Sequence, residues 1–205
     1  MTKRAKTAAR ETKRAATRIE RADIAIGHAA ARCKDHPAVK AAGLASEIAD
    51  QPPMIALSVA TLAAGLVRDD KRLARTGARM LASHLVATAV KTLIKQRVDR
   101  ARPGLFSTHH AHRITPGDHD DGPMNSFPSG HTAGAVAVTR AIAREYPEAG
   151  TPAALGAAAV AAIQPMRGTH FPIDVAAGAI LGLASEWLVA RAFERAGSGD
   201  AGGGR

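Results

Sequence analysis

The amino-acid sequence predicts an all-α, membrane-embedded helical bundle of about five short apolar helices, with its active site at one membrane face. Three observations predict it. Apolar residues make up 46% of the 205-residue chain but aromatic residues only 3%, so alanine and glycine carry much of the apolar count. A soluble core normally uses more large side chains, because each one buried contributes roughly 1.5–3 kcal/mol. Small residues instead let membrane helices approach closely. The apolar residues also fall into five runs separated by polar turns, and the last run carries Gly178-x-x-x-Gly182, a close-packing pattern in membrane helices. At about 14 to 21 residues the runs are short, since a span needs roughly 20 residues. Tilt, local thinning and flanking charged side chains accommodate short spans. A soluble helical bundle is the competing reading.

The chain divides into a basic N-terminal arm (1–50), a membrane domain (51–195) and a short disordered tail (196–205). Between Lys3 and Arg21 there are eight Lys or Arg residues against Glu11 and Glu20, among good helix formers. This stretch reads either as a basic helix lying on anionic lipid or as a solvated arm. A weak amphipathic helix follows and ends near Asp50. Pro52-Pro53 opens the first apolar run, Met54–Val67. A basic hairpin with Arg68, Lys71, Arg72 and Arg75 leads to the second run, Met80–Ile94. Residues 95–130, rich in Gly, Pro and His, read as one long polar loop. The third run is His131–Ala143, the fourth Ala153–Met166 and the fifth Ile173–Phe193. The Gly-rich tail from Gly197 reads as disordered.

The net charge of +10 suggests an anionic partner: nucleic acid, anionic lipid or a phosphorylated substrate. No helix-turn-helix or interleaving of aromatic with basic residues supports nucleic acid. The single cysteine, Cys33, excludes an internal disulfide. The basic N-terminus is not followed by a continuous apolar stretch, so no cleavable signal peptide is expected.

Three constellations carry chemistry. The first is Lys95-Gln-Arg-Val-Asp-Arg-Ala-Arg102-Pro103. Its Lys and Arg are seven positions apart, two helical turns, so they share a face. Arg offers a planar fork to phosphate oxygens and Lys a point charge; the bland alternative is an interface anchor. The second is Phe127-Pro128-Ser129-Gly130-His131, directly before an apolar helix. Helix-start N–H groups favour an anion, Gly130 permits close backbone approach, and His131 at the rim is a proton donor to a leaving oxygen. An ordinary Ser cap is the alternative. The third is Arg167-Gly-Thr-His170-Phe-Pro-Ile-Asp174. A carboxylate four residues on can fix an imidazole's tautomer and sharpen its other nitrogen as a nucleophile. Their order matters most. The first follows run two, the second precedes run three, and the third follows run four, so all three emerge on one face of the bundle as a phosphate-transfer site.

These residues resemble the type 2 phosphatidic acid phosphatase superfamily, whose pattern is Lys–six residues–Arg–Pro, then Pro-Ser-Gly-His, then Ser-Arg–five residues–His–three residues–Asp. Lys95, Arg102 and Pro103 meet the first motif. Pro128, Ser129, Gly130 and His131 meet the second. His170 and Asp174 meet the end of the third, with Gly168 and Pro172 also in keeping. The resemblance covers about Pro53 to Val189. It implies a metal-independent, cofactor-free hydrolysis of a lipid phosphate in which His170 attacks phosphorus and Asp174 orients it. His131 protonates the leaving group, and Lys95, Arg102, Ser129 and Gly130 hold the phosphate oxygens. The family's Ser-Arg pair falls on Ile163 and Gln164, so one phosphate-binding cation is missing, and Arg167 is the candidate to replace it.

The resemblance further implies a multi-pass protein of the cell membrane whose partners are the bilayer and a lipid phosphate, with no nucleic acid. Phosphatidate, phosphatidylglycerol phosphate and polyprenyl diphosphates all remain open as substrates. A vanadate-dependent haloperoxidase shares this pocket but is much longer and soluble. A non-catalytic lipid-phosphate binder is the alternative that the Gln164 departure suggests. The loop residues His109, His110, His112 and His119, with Asp118, Asp120 and Asp121, match no metal-ligand spacing and read as a solvated loop over the pocket. The family's active face usually lies outside the cytoplasm. The basic side chains from Arg68 to Arg79, with Arg140, Arg144, Arg191 and Arg195, then face inward as the positive-inside rule prefers. Five spans leave the basic arm on the disfavoured side.

Overall fold

The computed structural model describes residues 3–105, 112–118 and 122–200. Among these, seven α-helices account for most of the chain: α1 (Lys3–Ala31), α2 (Pro37–Ser46), α3 (Gln51–Val67), α4 (Lys71–Lys95), α5 (Gly130–Glu145), α6 (Gly150–Met166) and α7 (Pro172–Asp200). Helices α3 to α7 correspond in order to the five apolar runs. The expected amphipathic helix is α2, extended by a 3-10 turn to Ala49.

Several expectations need correction. The basic hairpin is a turn of only three residues, because Lys71, Arg72 and Arg75 already lie on the first turns of α4. Asp69 takes a left-handed φ of 51°, which Asp tolerates better than most residues. Asp70 then caps α4, accepting from the Leu73 N–H at 3.0 Å. The long polar loop is partly ordered: β1 (Val98–Asp99) pairs antiparallel with β2 (Thr115–Pro116). Helix α4 stops at Lys95, so the seven-residue spacing to Arg102 is not two helical turns. In the tail, α7 continues to Asp200, while residues 201–205 lie outside the described residues.

Helix α5 occupies the centre and packs on α4, α6 and α7. Its buried side is Ala133, Ala135, Ala137, Val138 and Ala141, and among the described residues the buried cluster around it adds Met54 and Met80 as long side chains. Close backbone approach replaces bulk. A Cβ on Gly178 would fall 2.5 Å from the Ser129 carbonyl oxygen, and one on Gly182 2.6 Å from that of Ala133. The Gly178-x-x-x-Gly182 pattern therefore seats α7 on the start of α5, as its spacing predicts. Gly65 and Gly77 do the same for α3 and α4: a Cβ on either would fall 2.2 Å from a backbone nitrogen of the partner helix.

Large apolar side chains point outward instead. Leu57, Val59, Leu66 and Val67 on α3 are exposed, as are Ile180, Leu183, Trp187 and Leu188 on α7. Contiguous exposed apolar surface of this kind marks contact with lipid or a partner. One helix segment among the described residues, Pro172–Ala196, is long and apolar enough to cross a membrane; α3 is a shorter apolar helix. At the end of the bundle remote from Lys95 and Gly130, Glu145 receives Arg75 at 2.6 Å and Arg79 at 2.8 Å, and Glu186 receives Arg144 at 2.6 Å. Much of the basic charge expected there is thus internally paired.

The α5–α7 contact generates the first prediction. Gly182→Ile forces a branched side chain into the α5 backbone and should destabilise the fold by about 1–3 kcal/mol. Gly156→Ala on α6, where an added Cβ meets nothing within 4 Å, should be neutral or stabilising by up to about 1 kcal/mol. Thermal unfolding in detergent reads both; equal effects would show that α5 and α7 are not in close contact.

Candidate active site

Two turns and two helix ends build the site. The first turn precedes α5. Ser129 caps the helix, its hydroxyl 3.4 Å from the Thr132 N–H and 3.0 Å from the Thr132 hydroxyl. Its N–H donates to the Asp174 carbonyl at 3.0 Å. Ser129 is fully buried and does not line the cavity, so its side chain serves the cap, whereas Gly130 and His131 do line it. The second turn precedes α7. Gly168 takes φ +71°, a conformation that favours glycine. The Gly168 carbonyl accepts from the Gly104 N–H at 2.9 Å, drawing the Arg102-Pro103-Gly104 segment against the His170 turn.

Together these elements enclose a cavity of about 360 Å³. It is lined by Lys95 and Arg102 from the first motif, Gly130 and His131 from the second, and Arg167, Thr169 and His170 from the third. Lys95 and Arg102 meet there although no helix joins them. Instead, the Lys95 ammonium donates to the Asn125 carbonyl at 2.8 Å, and the Arg102 N–H to that of Pro123 at 3.1 Å. The segment just before Ser129 therefore pins both.

His170 is almost fully buried. Its Nδ1 lies 2.7 Å from the Ser126 carbonyl oxygen. A carbonyl only accepts, so Nδ1 carries the proton and Nε2 keeps the lone pair. Burial, with Lys95 and then Arg102 nearby, holds the imidazole well below its usual range and therefore neutral. The expected direct orienting bond from Asp174 is absent: Asp174 Oδ2 stands 3.9 Å from His170 Nδ1. Ser126 intervenes. Its hydroxyl donates to Asp174 Oδ2 at 2.5 Å while its carbonyl holds the imidazole. Asp174 Oδ2 also accepts from the Phe171 N–H at 2.8 Å, and its Oδ1 takes a guanidinium nitrogen of Arg100.

The motifs alone did not identify Arg100, Asp23 or Ser126. Arg100 bridges Asp174 and Asp23, all three almost completely buried, and stacks over the Phe171 ring at 4.1 Å. Asp23 lies on α1 and also accepts from the Ile173 N–H at 2.8 Å. Packing thus runs across the boundary expected at residue 50. Gly27 on α1 abuts Phe171, and Glu47 and Asp50 line the cavity. The signal for Arg100 was a further cation inside the first motif, a signal it shares with Arg97. No local signal marked Asp23.

The loop histidines separate. His112 is fully buried, its ring against His28 and Phe171 and its carbonyl accepting from Arg100 Nε at 2.9 Å; it is not part of a solvated loop. Asp118 is exposed. His109, His110, His119, Asp120 and Asp121 lie outside the described residues.

Charge in the cavity is tuned by burial. The Lys95 ammonium is pushed down to about 7, chiefly by burial and then by Lys91 and Arg102. Arg102 is also lowered, by burial and then by Arg167. Arg167 therefore contributes its charge to this cavity, while its guanidinium binds the Ser46 hydroxyl at 3.0 Å and the Glu47 carboxylate. Glu47 in turn lies 3.5 Å from His131 Nε2. Gln164 is fully buried behind the wall. Its amide donates to the Val160 carbonyl at 3.1 Å, and its oxygen accepts from the Thr169 hydroxyl at 3.1 Å.

Known proteins agree with this architecture. The model of the PAP2 superfamily matches residues 76–198. A transmembrane PAP2 type phosphatidylglycerolphosphate phosphatase from Bacillus subtilis has a similar structure, with TM-score 0.62 and 22% identity over 86% of this chain and 87% of that one. LpxE from Aquifex aeolicus is similar with TM-score 0.58 and 16% identity over 80% and 92%. At these identities the likeness is one of fold. No curated protein sequence matches the chain significantly.

The exchange at Gln164 generates the second prediction. Arg167→Ala should weaken vanadate binding about tenfold to a hundredfold, the worth of one charge-assisted contact. Gln164→Arg places a cation in a fully buried, hydrogen-bonded position and should lower thermal stability without tightening vanadate. Tighter binding by Gln164→Arg would place position 164, not 167, at the phosphate.

Proposed function

Because the chain belongs to the PAP2 superfamily, we propose that it is a membrane lipid phosphatase, cleaving a phosphate monoester or diphosphate of a lipid through a phosphohistidine intermediate. The observation that carries this reading is His170: a neutral imidazole, held through Nδ1, in a cavity that Lys95, Arg102 and Arg167 share with the N-terminus of α5. A lone pair on Nε2 beside a bound phosphoryl group is the arrangement nucleophilic catalysis requires.

The steps follow from that arrangement. Lys95, Arg102, Arg167 and the N–H groups at Gly130 take the phosphoryl oxygens. His170 Nε2 attacks phosphorus while the bond to the lipid oxygen breaks. His131 gives that oxygen a proton and leaves as neutral imidazole. Water then attacks the phosphohistidine, with His131 accepting its proton and inorganic phosphate leaving. The fixed cations and N–H groups stabilise the charge on the equatorial oxygens in both steps. Asp174, through Ser126 and the Phe171 N–H, fixes the turn that carries His170. The exposed apolar faces of α3 and α7 support a multi-pass protein of the cell membrane that receives its substrate from the bilayer.

His170→Ala should abolish phosphate release from a short-chain phosphatidate while leaving expression in the membrane and thermal unfolding near wild type. Turnover within about tenfold of wild type would exclude His170 as the nucleophile.

The pH profile generates a further prediction. His170 is lowered and so neutral already in mild acid, whereas Lys95 is cationic only below about 7. kcat/KM should therefore hold on the acid side and fall above about pH 7, as the Lys95 charge is lost. Lys95→Arg keeps its charge and should move that alkaline limb upward. Substrate titration is common to both proteins, so an unmoved limb would assign it to another group.

A further inference from the structure

The cavity is larger than the catalytic groups need, and its remainder is polar. On α4, His84, Thr88, Lys91 and Lys95 are spaced four, three and four residues apart, which places them on one face, and all four line the cavity. Lys95 belongs to the reaction site. The other three lead away from it, with Lys91 about 6 Å behind Lys95 along the helix axis. None is used by the mechanism above, and none belongs to the three motifs.

His84 and Lys91 have the character of a site awaiting a ligand. His84 is 3% exposed, and neither of its ring nitrogens has a hydrogen-bond partner. A buried polar group left unpaired is costly, and such groups are normally satisfied. The His84 ring lies against Gly134, where a Cβ would approach it to 3.1 Å, so the second turn of α5 leaves room for the imidazole. The Lys91 ammonium lies 3.6 Å from the position a Cβ would take on Gly130. It therefore stands beside the same helix N-terminus that serves the first phosphoryl group. Among the described residues Lys91 has no hydrogen bond or ion pair of its own. Asp50 also lines this extension. Its carboxylate makes no cap bond to α3, and its charge acts on both His84 and Lys91.

We propose that Lys91 and His84, with Thr88, form a second anion subsite, and that the substrate carries a second phosphoryl group in its leaving portion. The inference rests on the phosphatase reading and deepens it. The reacting phosphoryl group sits at His170. The second sits along α4, joined to the first directly or through a short carbon bridge. Without it the His84 imidazole remains buried and unsatisfied beside the half-buried Lys91 ammonium.

Calorimetric titration of the full-length protein in detergent with EDTA tests the proposal, using orthophosphate, pyrophosphate and propane-1,3-bisphosphate as probes. At least one of the two-phosphoryl probes should bind about tenfold to a hundredfold tighter than orthophosphate. The pyrophosphate arm identifies a directly joined pair, and the propane arm a bridged one. Lys91→Gln and His84→Phe should each collapse the ratio of the tighter probe to orthophosphate. A wild-type ratio near one overturns the subsite whether or not the variants fold, as does a ratio that neither variant changes. Orthophosphate binding and His170-dependent phosphate release report separately on the phosphatase reading. If they persist without a preference for two phosphoryl groups, only the subsite falls. If orthophosphate does not bind either, both fall.

Discussion

A buried guanidinium, Arg100, lies between two buried carboxylates, and the geometry of the site depends on it. Asp174 takes one of its nitrogens and Asp23 another, while its Nε is held by the His112 carbonyl. Three charges out of water are tolerable only if each is paired and hydrogen-bonded. Here each is: Asp174 is also met by Ser126 and the Phe171 N–H, and Asp23 by the Ile173 N–H. The network joins α1, the segment after α4, the turn before α5 and the start of α7. Removing one member leaves an uncompensated buried charge, which typically costs about 3–5 kcal/mol. The N-terminal helix is in this sense part of the site's foundation, and its basic residues are only one part of its role.

The second constraint is the small size of the core residues. With so few large side chains inside, the helices are held by backbone proximity, and glycine decides where that proximity occurs. Gly178 abuts the carbonyl of Ser129, the cap of α5, so the contact that packs α7 also places the Pro-Ser-Gly-His turn beside the His170 turn. Packing and site assembly are one event here. The large apolar side chains displaced to the outside are then available to lipid, which has no preference between burying them in protein or in acyl chains.

The third constraint is electrostatic. Several cations share one cavity, and two of them have a compensating contact: Lys95 with the Asn125 carbonyl, and Arg167 with Glu47. Burial and mutual repulsion lower Lys95 and Arg102. A phosphoryl dianion bound as proposed would relieve that repulsion. Gln164 takes no part in this balance. Turned inward to Val160 and Thr169, it supports the turn from behind, while Arg167 supplies charge three residues later.

By itself the sequence placed five of the seven described α-helices in order, because run length and small-residue composition are local properties of the chain. It also identified seven residues that line or directly support the cavity: Lys95, Arg102, Gly130, His131, Arg167, His170 and Asp174. Their spacing relative to the runs puts them at one end of the bundle. It did not show that the Ser129 hydroxyl serves the helix cap, or that Ser126 stands between Asp174 and His170. Both depend on which of several short hydrogen bonds a side chain chooses, and spacing does not discriminate among them. Only the tertiary structure decided that Asp23, 77 residues before Arg100, closes the buried charge network. It likewise decided that His112 leaves solvent and that His84 and Lys91 share the cavity. Each of these is a matter of desolvation across elements far apart in sequence, and a residue's burial is set by what packs upon it, not by its neighbours in the chain.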